Sequence, residues 1–146
     1  MDSKPLRILL VEDNSADAQI TKRAFQKASY GSDIVALDSG QEALDYLFHK
    51  DKYVDVAKYP RPDLILLDLS IPSPDGFEVL SKLKAEKSTR AIPVVVLSGS
   101  REFDQIQKSY ELGAASYIHK TLDYDSFLKL IEYVLTYWKS MTLLPR

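Results

Sequence analysis

The sequence predicts an α/β fold: a doubly wound, five-stranded parallel sheet with helices on both faces. Short apolar runs, such as residues 64–67, alternate along the chain with segments whose apolar residues recur at helical spacing. This alternation is typical of βαβ units, in which helical crossovers join parallel strands. A length of 146 residues with 45% hydrophobic content suits one core. We therefore expect a single domain over residues 1–146.

Five runs rich in aliphatic or β-branched residues are expected to form the strands. The third follows the Pro-Arg-Pro breaker at residues 60–62, and its continuous apolar character indicates burial on both faces. An ionised carboxylate in such a core would be costly, so Asp68 must lie at the strand's carboxyl end or be paired. The expected strands cover residues 6–11, 33–37, 64–67, 92–97 and 115–118.

The segments between these strands carry helix start and stop signals. Asn14 or Ser15 is the N-cap candidate of the first helix, and Gly113 is expected to end the fourth. Residues 49–59 are polar and punctuated, which predicts a loop or a ragged helix extension. The expected helices cover residues 15–28, 39–48, 76–86, 101–112 and 123–138, and residues 139–146 are expected to form a tail, with no room for a second domain.

Composition excludes several classes of function. The net charge of −2 and the pI near 5.7 do not indicate the basic surface that binding to nucleic acid or to an anionic membrane requires. The chain has no cysteine, which excludes disulfides and thiolate metal sites. Its start does not read as a signal peptide, and no apolar run approaches the roughly 18 residues of a membrane span. We expect a cytoplasmic protein.

Polar residues collect where the expected strands end. Glu12 and Asp13 follow the first strand, Asp68 ends the third, Ser98 follows the fourth and Lys120 follows the fifth. In doubly wound sheets the ligand site lies outside these carboxyl ends. Three carboxylates around one crevice repel each other unless a cation neutralises them. Each residue alone has an ordinary interpretation as a cap, turn or surface residue, but their joint occurrence indicates a site.

The residue types at this crevice suit phosphoryl transfer. Oxygen ligands without cysteine point to a hard ion, Mg²⁺ or alternatively Mn²⁺. Such an ion leaves coordination positions for a phosphoryl group, while a carboxylate acts as nucleophile and a lysine and a hydroxyl hold the transferred oxygens. We expect His119 to point to the opposite side from Lys120, since side chains alternate along a strand, and to be structural.

The segments ILLVEDN, DLILLDLSIPSPDG, VVVLSGS and YIHK resemble the signature segments of two-component receiver domains, the phosphoacceptor modules of response regulators. The resemblance covers nearly the whole chain, with the segments in the right order and spacing. It implies a flavodoxin-like fold with strand order 2-1-3-4-5. Among receivers, the chain is similar to the small stand-alone regulators paired with bacterial phytochromes, a resemblance supported by the insert before the third strand and the Trp-bearing last helix.

The resemblance also implies a role for individual residues. Asp68 would be phosphorylated by a sensor histidine kinase, phytochrome-type in the subgroup, or by a histidine phosphotransfer protein. Asp13 would bind the metal directly and Glu12 through water, with the backbone carbonyl of Ser70 completing the protein ligands. The first acidic pair is Glu-Asp where Asp-Asp is usual, a longer reach that the family commonly tolerates.

Three further roles follow from the same resemblance. Ser98 would be the switch hydroxyl that moves onto the phosphoryl group, Tyr117 the aromatic rotamer switch, and Lys120 the partner of the phosphoryl oxygens. Thr121 stands where the family usually has proline, often after a cis bond. Because a cis non-proline bond costs about 3 kcal/mol, the Lys120–Thr121 loop is either trans and differently shaped, or strained.

The last helix has an unusually broad apolar face, which indicates either deep burial or a partner surface. One stripe is expected in the core, formed by Phe127, Ile131, Val134 and Trp138. Other apolar residues lie partly outside it, namely Leu128, Leu135, Tyr133 and Tyr137. In receivers this face carries dimerisation and output, so we expect a homodimer or partner face that includes Tyr110, Tyr133, Tyr137 and Trp138.

Three alternatives to a signalling switch remain. A haloacid dehalogenase-type phosphohydrolase would need a second aspartate two residues after Asp68, where the chain has Ser70. A degenerate receiver-like interaction domain would never accept phosphate. A flavodoxin-like cofactor carrier would need a phosphate-binding loop after the first strand, which carries Glu12 and Asp13 instead. The switch is favoured, as a binding module and not an enzyme with an external substrate.

Overall fold

The protein folds around one parallel sheet whose strand order matches the prediction. The computed structural model describes residues 5–28, 33–120 and 123–145. Its five strands are parallel and lie in the order β2-β1-β3-β4-β5. They cover β1 (Arg7–Val11), β2 (Asp33–Leu37), β3 (Leu64–Asp68), β4 (Val94–Ser98) and β5 (Ser116–His119).

Within the described residues, five α-helices connect and follow the strands, and local capping sets their ends. The Asn14 side chain accepts the backbone N–H of Asp17 at 3.0 Å, so Asn14 begins the first helix, and Gly113, with φ of 105°, follows the fourth. The helices are α1 (Ser15–Ala28), α2 (Gly40–Leu47), α3 (Gly76–Ala85), α4 (Phe103–Glu111) and α5 (Tyr124–Thr136). A π-helical turn at Tyr137–Met141 continues α5, so the expected tail begins later than residue 139.

Hydrophobic cores lie on both faces of the sheet because side chains alternate along each strand. Ile65 and Leu67 of β3 face the core beneath α2 and α3, whereas Leu64 and Leu66 face the core beneath α1 and α5. All five residues of β3 are buried, as its continuous apolar run predicts. Leu135, expected partly outside the core stripe of the last helix, is completely buried, so that assignment was wrong.

The insert between α2 and β3 is more ordered than its polar composition indicates. It contains a 3₁₀ turn at Asp51–Tyr53, and Tyr53 is buried. The rings of Tyr46, Tyr53 and Tyr59 meet edge to face, with centroids 5.0 to 6.0 Å apart. Aromatic edge contacts of this kind hold a loop against a helix, which explains how the segment packs despite its charged residues.

Among the helices within the described ranges, none combines the length and the apolar content that crossing a bilayer requires.

Candidate functional site

Three carboxylates meet at the carboxyl end of the sheet. β1 leads directly into Glu12 and Asp13, and the neighbouring strand β3 ends in Asp68. One oxygen from each lies within 4.8 Å of the other two. Glu12 and Asp68 are buried, and Asp13 is exposed. A compact, oxygen-only donor set that remains open on one side fits Mg²⁺ or Mn²⁺, which prefer carboxylate ligands and retain water.

Lys120 brings a positive charge to this cluster from the end of β5. Its ammonium Nζ contacts Glu12 Oε1 at 2.5 Å and Asp68 Oδ2 at 3.1 Å. It also contacts Asp17 Oδ2, in the first turn of α1, at 3.2 Å. The Lys120 side chain is only 16% exposed. A buried group can stay ionised when it is paired with an opposite charge and hydrogen-bonded, and Lys120 meets both conditions.

The buried charges shift one another's pKa values. Burial, followed by the hydrogen bond with Asp68, raises the pKa of Glu12 to about 7. Burial disfavours the charged form of Asp68 too, but the hydrogen bonds from Glu12 and the Ser70 N–H, together with Lys120, lower its pKa. Burial alone would lower the pKa of Lys120, yet its carboxylate partners raise it. These shifts favour an ionised Asp68 beside an ammonium.

Two serines hydrogen-bond at the same edge of the sheet. The backbone N–H of Ser70 donates to Asp68 Oδ1 at 3.0 Å, whereas Lys120 contacts the other carboxylate oxygen, Oδ2. Both oxygens of Asp68 are therefore held. Ser98, at the end of β4, is 3% exposed, and its hydroxyl oxygen accepts the backbone N–H of Ser100 at 3.1 Å. The hydroxyl of Ser98 thus lies on the strand next to Asp68, as the strand-end pattern predicts.

A cleft of about 780 Å³ between the N-terminal ends of α1 and α5 is lined by Asp13, Asp68 and Ser70. Its lining includes His119 as well as Lys120, and a ring nitrogen of His119 lies 3.2 Å from the Gly99 carbonyl oxygen. His119 and Lys120 therefore line the same cleft, so the expectation that His119 points to the opposite side from Lys120 was wrong. β5 ends at His119, so strict strand alternation no longer governs the direction of Lys120.

Sequence reasoning also missed Asp17. An acidic residue in the first turn of a helix is ordinary, because it favours the helix dipole, and nothing local marks it as functional. Its partner Lys120 is 103 residues away in the chain. The available signal was its position five residues after Glu12, in the helix that starts at the acidic pair.

Tyr117 and Tyr110 connect this edge to the α4 side of the molecule. The Tyr117 hydroxyl donates to the Ser100 carbonyl oxygen at 2.8 Å, and the Tyr117 backbone N–H donates to the Tyr110 hydroxyl oxygen at 3.1 Å. At the end of α5, Tyr133 and Tyr137 are exposed, whereas Trp138 packs against the core beneath α1 and α5. Tyr133 and Tyr137 are therefore accessible to a partner, and the dimer or partner face that includes them stays a prediction.

The Lys120–Thr121 peptide lies outside the described residues, so the expected departure in its geometry stays a prediction. The backbone N–H of Lys120 itself donates to the Ser98 carbonyl oxygen at 2.8 Å. That hydrogen bond fixes the lysine beside β4 up to the last residue before the undescribed segment.

Residues 8–132 match the family model of the response regulator receiver domain. The chain belongs to the receiver-domain family of response regulators. Receiver domains are signalling switches and not enzymes, and phosphorylation on an aspartate is general to the family. This membership decides against the phosphohydrolase and the cofactor carrier.

Two relatives match over most of this receiver's length. The probable methanogenesis regulatory protein FilR2 of Methanothrix harundinacea is 39% identical over 134 residues, which cover 92% of this chain and 84% of FilR2. The response regulator Rcp1 of Synechocystis is 34% identical over 141 residues, covering 97% and 94%. Both relatives are regulators by name.

Solved structures of phytochrome response regulators superpose closely on this receiver. The phosphorylated cyanobacterial phytochrome response regulator RcpA gives a TM-score of 0.92 at 36% identity, covering 98% of this chain and all of RcpA. The Mn²⁺-bound form of Rcp1 gives 0.89 at 34% identity, covering 97% and 100%. A metal-bound relative and the acidic cluster agree that this donor set suits Mg²⁺ or Mn²⁺.

Proposed function

We propose that this receiver accepts a phosphoryl group on Asp68 from a sensor histidine kinase or a histidine phosphotransfer protein, and that phosphorylation changes its partner or dimer face. The observation that carries the proposal is the environment of Asp68. Its carboxylate ends a completely buried strand, with the Lys120 ammonium at 3.1 Å and two further carboxylates within 4.8 Å. A nucleophile held this rigidly beside a cation and a metal-type donor set suits phosphoryl transfer.

The residues proposed to hold the metal are Asp13 directly, Glu12 through water, Asp68, and the backbone carbonyl of Ser70. When bound, Mg²⁺ supplies positive charge to the phosphoryl oxygens. Burial raises the pKa of Glu12, and a cation held at this site would favour its ionised form. Lys120 then gives up its contact with Glu12 and remains available to the phosphoryl group.

The transfer step balances with a small phosphodonor such as acetyl phosphate. An Asp68 carboxylate oxygen forms a bond to phosphorus while the bond from phosphorus to the acetate oxygen breaks. Acetate leaves as its carboxylate, with the electron pair of the broken bond, so no proton is needed. Lys120 stabilises the transferred oxygens by charge-assisted hydrogen bonds, the strongest kind available to an ammonium.

The proposed switch runs from Ser98 to Tyr117. Ser98 would exchange its hydrogen bond with the Ser100 N–H for one with the phosphoryl group. The Tyr117 hydroxyl now bonds the Ser100 carbonyl oxygen, so movement of that loop would free the ring to change rotamer. Ser98 and Tyr117 both form a hydrogen bond with Ser100. This shared partner supports a coupling between the phosphorylation site and the α4–β5 side of the molecule.

The proposal extends to assembly and location. We propose that residues 1–146 act as one receiver domain in the cytoplasm, with the kinase that supplies the phosphoryl group, and without binding nucleic acid or membrane. Homology to phytochrome response regulators supports a phytochrome-type kinase. The tyrosines exposed along α5 support a homodimer, because aromatic side chains in water are typical of contact surfaces.

The test is the mass of the intact protein after incubation with acetyl phosphate and Mg²⁺. We expect a gain of one phosphoryl group that disappears with a chelator and in Asp68→Asn, but persists in the control Asp125→Asn, which changes an exposed carboxylate of α5. A gain retained in Asp68→Asn would place the phosphoacceptor elsewhere. No gain with Mg²⁺ bound would favour the degenerate interaction domain.

A further inference from the structure

All three N–H groups of the Lys120 ammonium have an acceptor within hydrogen-bond distance. The acceptors are carboxylate oxygens of Glu12, Asp68 and Asp17. An ammonium has three donors and no acceptor, so this arrangement satisfies it completely. Lys120 cannot bind a phosphoryl oxygen from this arrangement without giving up a partner.

The three partners differ in what the proposed reaction demands of them. Asp68 is the proposed phosphoacceptor, so its contact with Lys120 passes to the phosphoryl group. Glu12 belongs to the proposed metal site, so its oxygens would turn toward a bound cation. Asp17 does not belong to the cluster of carboxylates within 4.8 Å of one another. Of the three carboxylates that accept a hydrogen bond from Lys120, Asp17 is therefore the one whose hydrogen bond can persist throughout the reaction.

Asp17 itself is held firmly by its own helix. Its backbone N–H donates to the Asn14 side chain at 3.0 Å, and its carbonyl oxygen accepts the hydroxyl of Thr21, which is buried, at 2.8 Å. The helix α1 packs against α5 around Phe25 and Ile131 in a shared core. A carboxylate on such a fixed backbone gives a lysine side chain, with its many rotamers, a defined end point.

We propose that Asp17 is a positioning residue that holds the Lys120 ammonium at the phosphorylation site while Glu12 and Asp68 change partners. The inference rests on the proposed phosphorylation of Asp68. Asp17 contacts neither the phosphoryl group nor the metal in this scheme, and it acts through Lys120 alone. Loss of the Asp17 carboxylate keeps the charge of Lys120, but the ammonium is no longer held at the site.

The expected effect lies on the rate of phosphorylation and not on metal binding. Small misplacements of a catalytic group lower rates steeply, so we expect Asp17→Ala to lower the maximal rate with acetyl phosphate by about tenfold. The Mg²⁺ dissociation constant should stay within about threefold of the parent value, because the metal-type donor set is intact. Asp17→Glu, which keeps the carboxylate on a longer side chain, should restore most of the rate.

The control is Asp104→Ala. Asp104 also lies in the first turn of a helix, α4, and is exposed, so its loss removes the same charge and the same interaction with a helix dipole. Asp104 is not one of the three carboxylates that pair with Lys120, and within the described residues it does not line the cleft. Alanine is the best helix former, so neither substitution weakens its helix by propensity. Rates are followed by intact-protein mass, and Mg²⁺ affinity by calorimetry.

The decisive comparison repeats Asp17→Ala in the Lys120→Met background, followed over hours. If Asp17 acts through Lys120, its loss changes the rate there by less than twofold. A tenfold loss in both backgrounds, an unchanged or faster rate in Asp17→Ala alone, or an equal loss in Asp104→Ala would overturn the inference. Failure of the parent protein to gain a phosphoryl group would instead refute the proposed function, so the two failures are distinguishable.

Discussion

The Tyr110 hydroxyl oxygen on α4 accepts the backbone N–H of Tyr117 on β5 at 3.1 Å. β5 is an edge strand of the sheet, so this N–H has no neighbouring strand to bond. A side chain thus satisfies a backbone donor that would otherwise face solvent or another chain. The same tyrosine, Tyr117, bonds the loop after β4 through its own hydroxyl.

This contact predicts a local change in hydrogen exchange. Tyr110→Phe removes the acceptor and keeps the ring, so the Tyr117 amide should exchange about fivefold faster, since a hydrogen bond contributes roughly 1 kcal/mol. NMR-detected amide exchange measures this directly. The control is Tyr133→Phe, at a tyrosine that is 70% exposed. Equal protection of Tyr117 in both variants would mean that the Tyr110 contact does not stabilise the edge.

Truncation of Leu66 tests how much the side chains of the central strand β3 contribute to the free energy of unfolding. Its side chain is completely buried in the core beneath α1 and α5. Leu66→Ala removes apolar contacts and leaves a cavity, so the free energy of unfolding should fall by about 3 kcal/mol. Urea denaturation followed by circular dichroism measures it, beside Val54→Ala, at a valine that is 66% exposed. A loss below about 1 kcal/mol for Leu66 would show that the core relaxes to fill the space.

Much of this architecture is predictable because its signals are local. The apolar run of β3 marks a strand buried on both faces, and the change from strand to helical periodicity marks each crossover. Once the strands are assigned, their carboxyl ends are known as well. Because those ends lie at one edge of the sheet, Glu12, Asp13 and Asp68 are expected to lie close together. Gly113 likewise marks the end of α4, because its φ of 105° is a conformation that glycine adopts readily.

What sequence reasoning missed depends on contacts between distant residues. The Asp17–Lys120 ion pair joins α1 to the end of β5, and no local pattern encodes such a pairing. The insert at residues 49–59 looks polar because its charged residues outnumber its tyrosines, yet Tyr53 and Tyr59 pack with Tyr46. Leu135 was misjudged because a helix packed on a sheet buries more than one stripe.

The insert carries a pH-dependent interaction that can be tested away from the phosphorylation site. The Tyr53 hydroxyl donates to the Glu42 carboxylate, and this hydrogen bond lowers the pKa of Glu42, with Lys52 assisting at 3.3 Å. A carboxyl group with a lowered folded-state pKa stabilises the fold above its unfolded pKa. That contribution is lost as the pH falls through the folded-state pKa.

Tyr53→Phe should therefore lower the free energy of unfolding by about 1 kcal/mol at pH 7 while leaving the ring contacts of Tyr46 and Tyr59 intact. The difference from the parent protein should shrink as the pH falls below the ordinary carboxyl value of 4.5 and Glu42 becomes protonated. Urea denaturation at pH 7, 4.5 and 3 measures both effects. A difference that stays constant over this range would mean that the ionised carboxylate of Glu42 contributes nothing to the bond.

The exposed tyrosines at the end of α5 predict an effect on assembly. Tyr133 is 70% exposed and Tyr137 is 50% exposed, one helical turn apart, so a partner could cover both rings at once.

If Tyr133 and Tyr137 form the dimer face, Tyr137→Ser should weaken the dimer at least tenfold, since aromatic residues dominate contact energies. Light scattering during gel filtration, with and without acetyl phosphate and Mg²⁺, gives the mass, beside the control Val54→Ser, at a valine that is 66% exposed and does not line the cleft. Because Tyr137 is half exposed, its loss should barely alter folding, whereas Trp138 also supports the core. An unchanged dissociation constant in Tyr137→Ser would therefore assign the dimer to another surface, and a monomeric parent protein in both states would leave these tyrosines as a face for a different partner.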